Sequence, residues 1–139
     1  YRALIERKHW EGVRLTEKAE SIAEKVLALR PDWGDAYLPI GASNYIVGCL
    51  PKGKRFFLWF GGVSGDKVTG LEQLKRAAEG GHLLRPYAKI LLALAAMRER
   101  DPALADRLFH ELAEEFPRNP QFARELAQLR KENGMLSRP

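Results

Sequence analysis

The sequence predicts an all-α fold, a solenoid of antiparallel helix pairs with about seven helices. Three stretches share one spacing, in which small or apolar residues at relative positions 0, 4 and 7 are followed by a closing residue at position 12. These stretches, which we call ladders, are Ala19, Ala23, Val26 and Pro31; Gly70, Leu74, Ala77 and His82; and Ala105, Phe109, Leu112 and Pro117. An aromatic residue follows each ladder: Tyr37, Tyr87 and Phe122. A small residue lets two helices approach closely, so this repeat is typical of stacked helical hairpins.

The composition fits one domain over residues 1–139 that folds by burying apolar side chains. Of the 139 residues 45% are hydrophobic, and the formal net charge is +5. Residues 51–100 hold most of that charge, with 10 basic and 4 acidic side chains. A positive field attracts acidic peptides, anionic lipid or nucleic acid without selecting among them, and of these we expect no nucleic acid. Cys49 is the only cysteine, which excludes an internal disulfide and a cysteine-rich metal site.

No membrane-spanning segment is predicted. The longest uncharged run, residues 36–51, has 16 residues, whereas a helix needs about 20 to cross a bilayer. The chain begins at Tyr1 without an initiator Met or a signal sequence, so we expect a trimmed or processed piece of a soluble protein. We assign it no compartment for that reason.

The first repeat, residues 1–34, is predicted to be a pair of antiparallel helices. Apolar residues recur at helical spacing over residues 4–29, with an interruption near Gly12. We therefore expect two helices of about 10 and 15 residues, closed by Arg30, Pro31 and Asp32.

The second repeat, residues 35–83, opens with a helix over about residues 35–49. Pro39 is tolerated there because it lies in the first turn, where backbone N–H groups have no helical partner. The second helix of this repeat starts at Asp66 or at a capping box of Thr69 and Glu72. It ends at two consecutive glycines, Gly80 and Gly81.

The third repeat, residues 84–118, has a first helix over about residues 86–100. Asp101-Pro102 and Asn119-Pro120 each place a capping residue before a proline, the arrangement typical of a helix start. These starts predict the second helix of the repeat and a C-terminal capping helix over about residues 119–133.

An aromatic-rich insertion is predicted inside the second repeat, between Cys49 and Asp66. The first two ladders start 51 residues apart and the last two 35 residues apart, whereas a repeat of this kind takes about 34 residues. The insertion carries four aromatic residues: Phe56, Phe57, Trp59 and Phe60. We expect a short extra helix packed against the solenoid, because burial stabilises such side chains. The alternative is a membrane-surface anchor, in which the preceding cations contact anionic headgroups: Lys52, Lys54 and Arg55.

One block of the sequence resembles a divergent tetratricopeptide-repeat family. Residues 58–74, LWFGGVSGDKVTGLEQL, are similar to the family block L-x-F-x-G-F-x-G-D-R-x-x-G-L-x-x-L, with Val63 and Lys67 in place of Phe and Arg. The matching positions are Gly62, Gly65, Asp66, Gly70 and Leu71. The family includes the fungal inclusion-body clearance protein and bacterial proteins of unknown role. Tyr37, Ile40 and Gly41 also match the aromatic-x-x-Leu-Gly opening of such a repeat. The resemblance implies a helical adaptor without catalytic residues or a cofactor, and it transfers no ligand.

The resemblance also implies a concave groove lined by the first helix of each pair. Carried over to this sequence, the inward positions are Arg2, Glu6, His9 and Trp10 in the first repeat; Asp35, Leu38, Ala42 and Tyr45 in the second; and Arg85, Lys89 and Leu92 in the third. Arg85 and Lys89 lie one turn apart and present two positive charges. The expected partner is therefore a protein or peptide, such as an acidic peptide or a C-terminal carboxylate. Two alternatives stay open. These side chains are solvated and bind nothing, or the groove binds a second copy of the chain.

No catalytic, cofactor-binding or metal-binding residue is predicted. Among the histidines, His9, His82 and His110, only His110 has a potential ligand at helical spacing, Glu114, and we read all three as surface or packing residues. Cys49 is read as a small apolar residue. The glycines before Asp66 do not have P-loop spacing, so we expect them to allow a sharp turn while Asp66 caps the next helix. The predicted function is a non-catalytic protein-interaction scaffold, and the alternative is a peripheral lipid-binding module that uses the segment from Lys52 to Phe60.

Overall fold

The fold is all-helical. The computed structural model describes residues 2–51, 53 and 64–134, and it describes side chains from residue 14 onward. Within these residues no β-strand is present, and a 3-10 turn, Gly34–Ala36, precedes the second of six bounded helices. The helices are α1 Arg2–Leu29, α2 Tyr37–Gly48, α3 Lys67–Gly80, α4 Arg85–Arg98, α5 Pro102–Glu115 and α6 Pro120–Glu132. Each packs mainly against its neighbours in sequence. Among the described helices, none is both long and apolar enough to cross a bilayer.

The helix pair predicted over residues 4–29 is wrong, because α1 is a single helix of 28 residues. Gly12 alone costs a helix interior only about 1 kcal/mol relative to Ala, and no proline accompanies it. Ala19, which was expected to face the first helix of that pair, is exposed, whereas Ala23 is buried. Since the residues before Gly12 continue the same helix, they cannot fold back beside Ala19.

The second and third ladders lie in the core, as predicted. Gly70, Leu74 and Ala77 on α3 are buried, and so are the equivalent residues of α5, Ala105, Phe109 and Leu112. A Cβ atom on Gly70 would lie 2.4 Å from the backbone N of Tyr45 and 2.9 Å from the carbonyl O of Gly41. The absence of a side chain at Gly70 therefore lets α3 cross closely against α2.

The predicted capping residues start three of the helices. The Asp66 carboxylate accepts hydrogen bonds from the backbone N and the Oγ1 of Thr69, each at 2.8 Å, so α3 begins after Asp66 rather than at Thr69. Asp101 and Asn119 cap α5 and α6, accepting from backbone N–H groups at 3.1 Å in both cases. In each of these two helices a proline follows the cap directly.

The core is built from leucines and alanines of consecutive helices. On α4 the buried positions are mostly alanines, and this keeps α3 and α5 close to it on either side. Arg130 of α6 forms a two-pronged ion pair with Asp106 of α5, with N···O distances of 2.6 and 3.0 Å. Buried side chains of α3, α4, α5 and α6 therefore form one continuous core.

The predicted insertion falls almost wholly outside the described residues, which omit 52 and 54–63. The short extra helix and the membrane-surface anchor expected there both stay predictions. Flotation on anionic liposomes with Trp59 fluorescence tests the anchor: we expect no vesicle association and no blue shift if the aromatic side chains are buried in the protein.

Candidate functional site

The predicted groove residues do not form one surface. Arg2, Glu6, His9 and Trp10 belong to α1, but their side chains lie outside the described part of the chain. The others divide among a buried turn, the core and two grooves on opposite sides of α4. Leu38 packs against the hydrophobic core.

Asp35 is a structural residue, so its predicted place in an exposed groove is wrong. Its residue exposure is 6%, and its carboxylate accepts hydrogen bonds from the backbone N of His82 (2.8 Å), Leu83 (3.2 Å) and Leu84 (2.9 Å). Burial by itself raises the pKa of Asp35, but the three N–H donors outweigh it and hold the pKa below its ordinary value. The carboxylate thus ties the turn before α2 to the start of α4.

Arg85 and Lys89, which were predicted to present positive charge to a ligand, each form ion pairs with carboxylates of α5. Arg85 Nη2 lies 2.8 Å from Glu115 Oε1. Lys89, which is 9% exposed, lies 3.0 Å from Glu111 and 3.3 Å from Glu115. The hydrogen bond from Arg85 lowers the pKa of Glu115, against the opposing effect of burial. The two cations lie one turn apart on α4, and the two carboxylates lie one turn apart on α5. The opposite charges therefore come into contact when α4 packs against α5.

The first groove, of about 650 Å³, lies between α3 and α5 with α4 as its floor. Lys89 and Leu92 form part of that floor. Charged side chains of both signs line it in equal number: Lys75, Lys89 and Arg107 against Glu79, Asp101 and Glu111. This balance gives no net attraction for a ligand of either charge.

The second groove, which we call the apolar groove, lies between α2 and α4 on the other side of the array. It has a volume of about 320 Å³. Its lining is Ala42, Tyr45 and Ile46 of α2, Leu74 of α3, and Leu91, Leu94, Ala95 and Arg98 of α4. Ile46 is 60% exposed and Leu94 is 51% exposed. Large apolar side chains that stay open to solvent around a concavity are typical of a binding surface.

The carried-over positions identified the α2 side of the apolar groove but not its α4 side. Of the carried-over positions, Ala42 and Tyr45 line it, whereas the α4 residues that line it are Leu91, Leu94, Ala95 and Arg98. With 3.6 residues per turn, all of these but Ala95 lie on the side of α4 opposite Lys89 and Leu92. The sequence does carry a signal for the α4 side of the groove. Alanines cluster on the buried side of α4, so leucines on its other side lie at the surface.

A polar network borders the apolar groove where α2, α3 and α4 meet. The Tyr45 hydroxyl donates to Glu99 Oε1 at 3.2 Å, and Lys67 Nζ donates to Glu99 Oε2 at 2.7 Å. Burial raises the pKa of Tyr45, and the neighbouring Cys49 and Glu99 raise it further. The hydrogen bond from Lys67 lowers the pKa of Glu99 despite partial burial. Tyr45 is therefore held as a protonated donor whose proton is already engaged.

Metal-ligating side chains are not grouped in the part of the chain that the structure describes. There, no cluster of three or more His, Cys, Asp or Glu residues is placed to hold a metal ion. The exposed His110 lies 3.6 Å from Glu114 on the same helix, and His82 contacts Trp33 with ring centroids 5.8 Å apart. Cys49 is a half-buried free cysteine.

Three of the residues that carry the family resemblance, Gly65, Asp66 and Gly70, have structural roles here. Gly65 lies against α2, where a Cβ atom would be 2.6 Å from Val47 Cβ, and it directly precedes the capping residue Asp66. Gly70 allows the close crossing of α2 and α3. No protein-family model, curated protein or solved structure matches this chain. Membership of the tetratricopeptide-repeat family therefore stays a prediction.

Proposed function

We propose that this chain is a non-catalytic protein-interaction module, a tetratricopeptide-like stack of helix pairs that binds a segment of a partner protein in the apolar groove. The observation that carries the proposal is the lining of that groove, where every side chain except those of Tyr45 and Arg98 is aliphatic. Such a lining favours an apolar ligand over a substrate that needs proton transfer or phosphate binding.

The repeat architecture is supported by the packing order of the helices. Each described helix contacts mainly the helices before and after it, which is the quasi-one-dimensional arrangement of repeat proteins. Two ladders, those starting at Gly70 and Ala105, place their small residues in the core at equivalent positions of α3 and α5. In this arrangement α2 and α4 are the first helices of successive pairs, and their shared groove is the ligand surface.

The energetic argument rests on Ile46 and Leu94. Full burial of one such side chain stabilises a complex by about 1.5 to 3 kcal/mol, so covering side chains that are about half exposed gives about 1 kcal/mol or more for each. A partner that also covers Leu91 gains further apolar contact. The groove therefore anchors a partner segment, and the rest of the affinity has to come from contacts that the segment makes outside the groove.

Affinity purification from the cells that produce the protein tests the proposal. We compare the wild type with Leu94→Glu, which places a charge in the groove, and with Val68→Glu, which changes an equally exposed apolar side chain on α3 outside it. We expect the proteins retained by the wild type and by Val68→Glu to be lost with Leu94→Glu, while circular dichroism shows the same helical content for all three. Retention of the same proteins by Leu94→Glu would contradict the proposal.

A further inference from the structure

We infer that the occupant of the apolar groove is an amphipathic α-helix of a partner protein, with a carboxylate positioned opposite Arg98. The inference rests on the proposed function and specifies its ligand. It follows from three features: the spacing of apolar residues along α4 beside the groove, the scarcity of groups in the groove that bind a peptide backbone, and the charge of Arg98.

The exposed apolar residues of α4 follow the spacing of a helix-packing seam. Tyr87, Ile90, Leu94 and Met97 are separated by three, four and three residues, the alternation that carries a and d positions in packed helices. Tyr87 is 62% exposed, Leu94 and Met97 are also exposed, and Ile90 is partly buried. Leu94 belongs to both this seam and the apolar groove. A second helix laid along the seam places its own side chains between these residues, and Ile46 of α2 covers its flank.

The groove does not supply the hydrogen bonds that an extended peptide needs. An extended segment exposes its backbone N–H and C=O groups, and burying them without partners is costly. Six of the eight lining residues are aliphatic, the Tyr45 hydroxyl already donates to Glu99, and Arg98 is the one lining side chain left to donate to a ligand. A helix satisfies its backbone groups internally and presents only side chains. The chemistry of the lining therefore selects a helical ligand over an extended one.

Arg98 sets the charge of the ligand. Among the described residues, no carboxylate lies within ion-pair distance of the Arg98 guanidinium. The adjacent Glu99 attracts Arg98 at longer range, but its carboxylate is hydrogen-bonded to Lys67 and Tyr45. A carboxylate on the incoming helix gives Arg98 a partner at the edge of an apolar contact. A second copy that docks symmetrically through the same surface does not supply it, because the seam and the groove lining contain no acidic residue.

Selection from two libraries of displayed 18-residue peptides tests the inference. The first library has apolar residues at a and d positions and Ala, Glu, Lys or Gln elsewhere, so that its members form helices. The second has the same apolar content with a proline at every fourth position, which prevents a helix. Both are selected on the immobilised full chain and depleted on Leu94→Glu. Enriched peptides are measured by fluorescence anisotropy against the wild type, Arg98→Glu and a control, Arg124→Glu, which changes an exposed cation on α6.

We expect binders from the helical library alone, with Asp or Glu beside the apolar ridge. Arg98→Glu is expected to weaken them about fivefold and Arg124→Glu not at all, and a peptide with Lys in place of its acid should recover affinity for Arg98→Glu. Binders from the proline library alone would overturn the helical occupant while leaving the proposed function standing. Equal affinity for the wild type and Arg98→Glu would overturn the carboxylate assignment. If neither library yields a binder that depends on Leu94, the inference and the proposed function are both overturned.

Discussion

Replacing Asp35 tests how the turn before α2 is fastened to the start of α4. Asp35→Ala removes the acceptor of three backbone hydrogen bonds, which join it to residues more than 45 positions later in the chain. The N–H groups of residues 82–84 then lose their partner beside a buried turn. Asp35→Asn keeps the oxygen that accepts from His82 and Leu84, but it turns an amide donor toward the N–H of Leu83.

The expected cost follows from these bonds. Hydrogen bonds to a charged group contribute about 1.5 to 3 kcal/mol each, and the desolvation of the carboxylate offsets part of their sum. We expect Asp35→Ala to lower the free energy of unfolding by about 4 kcal/mol and Asp35→Asn by about 2 kcal/mol. With an m-value of about 2 kcal/mol per molar urea, these losses move the midpoint down by about 2 M and 1 M.

Urea unfolding followed by circular dichroism measures both variants. Asp32→Ala is the matched control, since Asp32 lies in the same turn but is exposed and forms a surface ion pair with Arg30, and its midpoint should be close to that of the wild type. A loss below about 1 kcal/mol for Asp35→Ala would refute the view that this carboxylate fastens the turn to α4.

The pH dependence of the unfolding free energy tests the role of Asp35 in a second way. Because the pKa of Asp35 is lower in the folded chain than its ordinary value of 3.8, its stabilisation is complete above about pH 4 and is lost as the pH falls through the folded pKa. The difference in urea midpoint between the wild type and Asp35→Asn should therefore be largest at pH 7 and shrink at pH 3. A difference that stays constant would show that the charge of Asp35 does not contribute.

Two further predictions concern the helix contacts. Gly70→Ala should lower the free energy of unfolding by about 3 kcal/mol, because overpacking shifts the backbone and the new Cβ lies 2.4 Å from the backbone N of Tyr45. Gly80→Ala is the control, because a Cβ at Gly80 would lie 3.8 Å from its nearest neighbour, and it should leave the melting temperature unchanged or raise it. Equal effects of the two variants would contradict the close crossing of α2 and α3. Glu115→Gln should cost about 1 to 2 kcal/mol at pH 7 by weakening its pairs with Arg85 and Lys89. That loss should fade below about pH 4, because the folded pKa of Glu115 is lowered. A loss that urea unfolding shows to be independent of pH would contradict the role of these ion pairs.

The helix boundaries were predictable where the sequence carries capping residues. Asp101-Pro102, Asn119-Pro120 and the Gly80-Gly81 pair each mark a boundary that the structure has. The start of α3 required a choice between Asp66 and Thr69, which depends on the position of a side-chain oxygen. At Gly12 the prediction failed, because a single glycine weakens a helix by less than the continuous hydrogen-bond ladder stabilises it.

The site was less predictable than the boundaries, because it depends on the rotation of α4. This helix carries apolar residues on most of its circumference, so the helical period alone does not say which side is buried. The pairing of Lys89 with Glu111 and Glu115 also depends on the alignment of α4 and α5. Asp35 was assigned to the groove because the family resemblance makes its position an inward one, and the three N–H partners that explain its burial lie far along the chain.

Methyl NMR of the full chain, titrated with a peptide selected on it, tests most directly whether the apolar groove is the binding site. The account predicts chemical-shift changes at the methyl groups of Ile46, Leu91 and Leu94, with Leu92 and Leu108 of the first groove unchanged. Shifts centred on Leu92 and Leu108, with Ile46 and Leu94 unaffected, would contradict it.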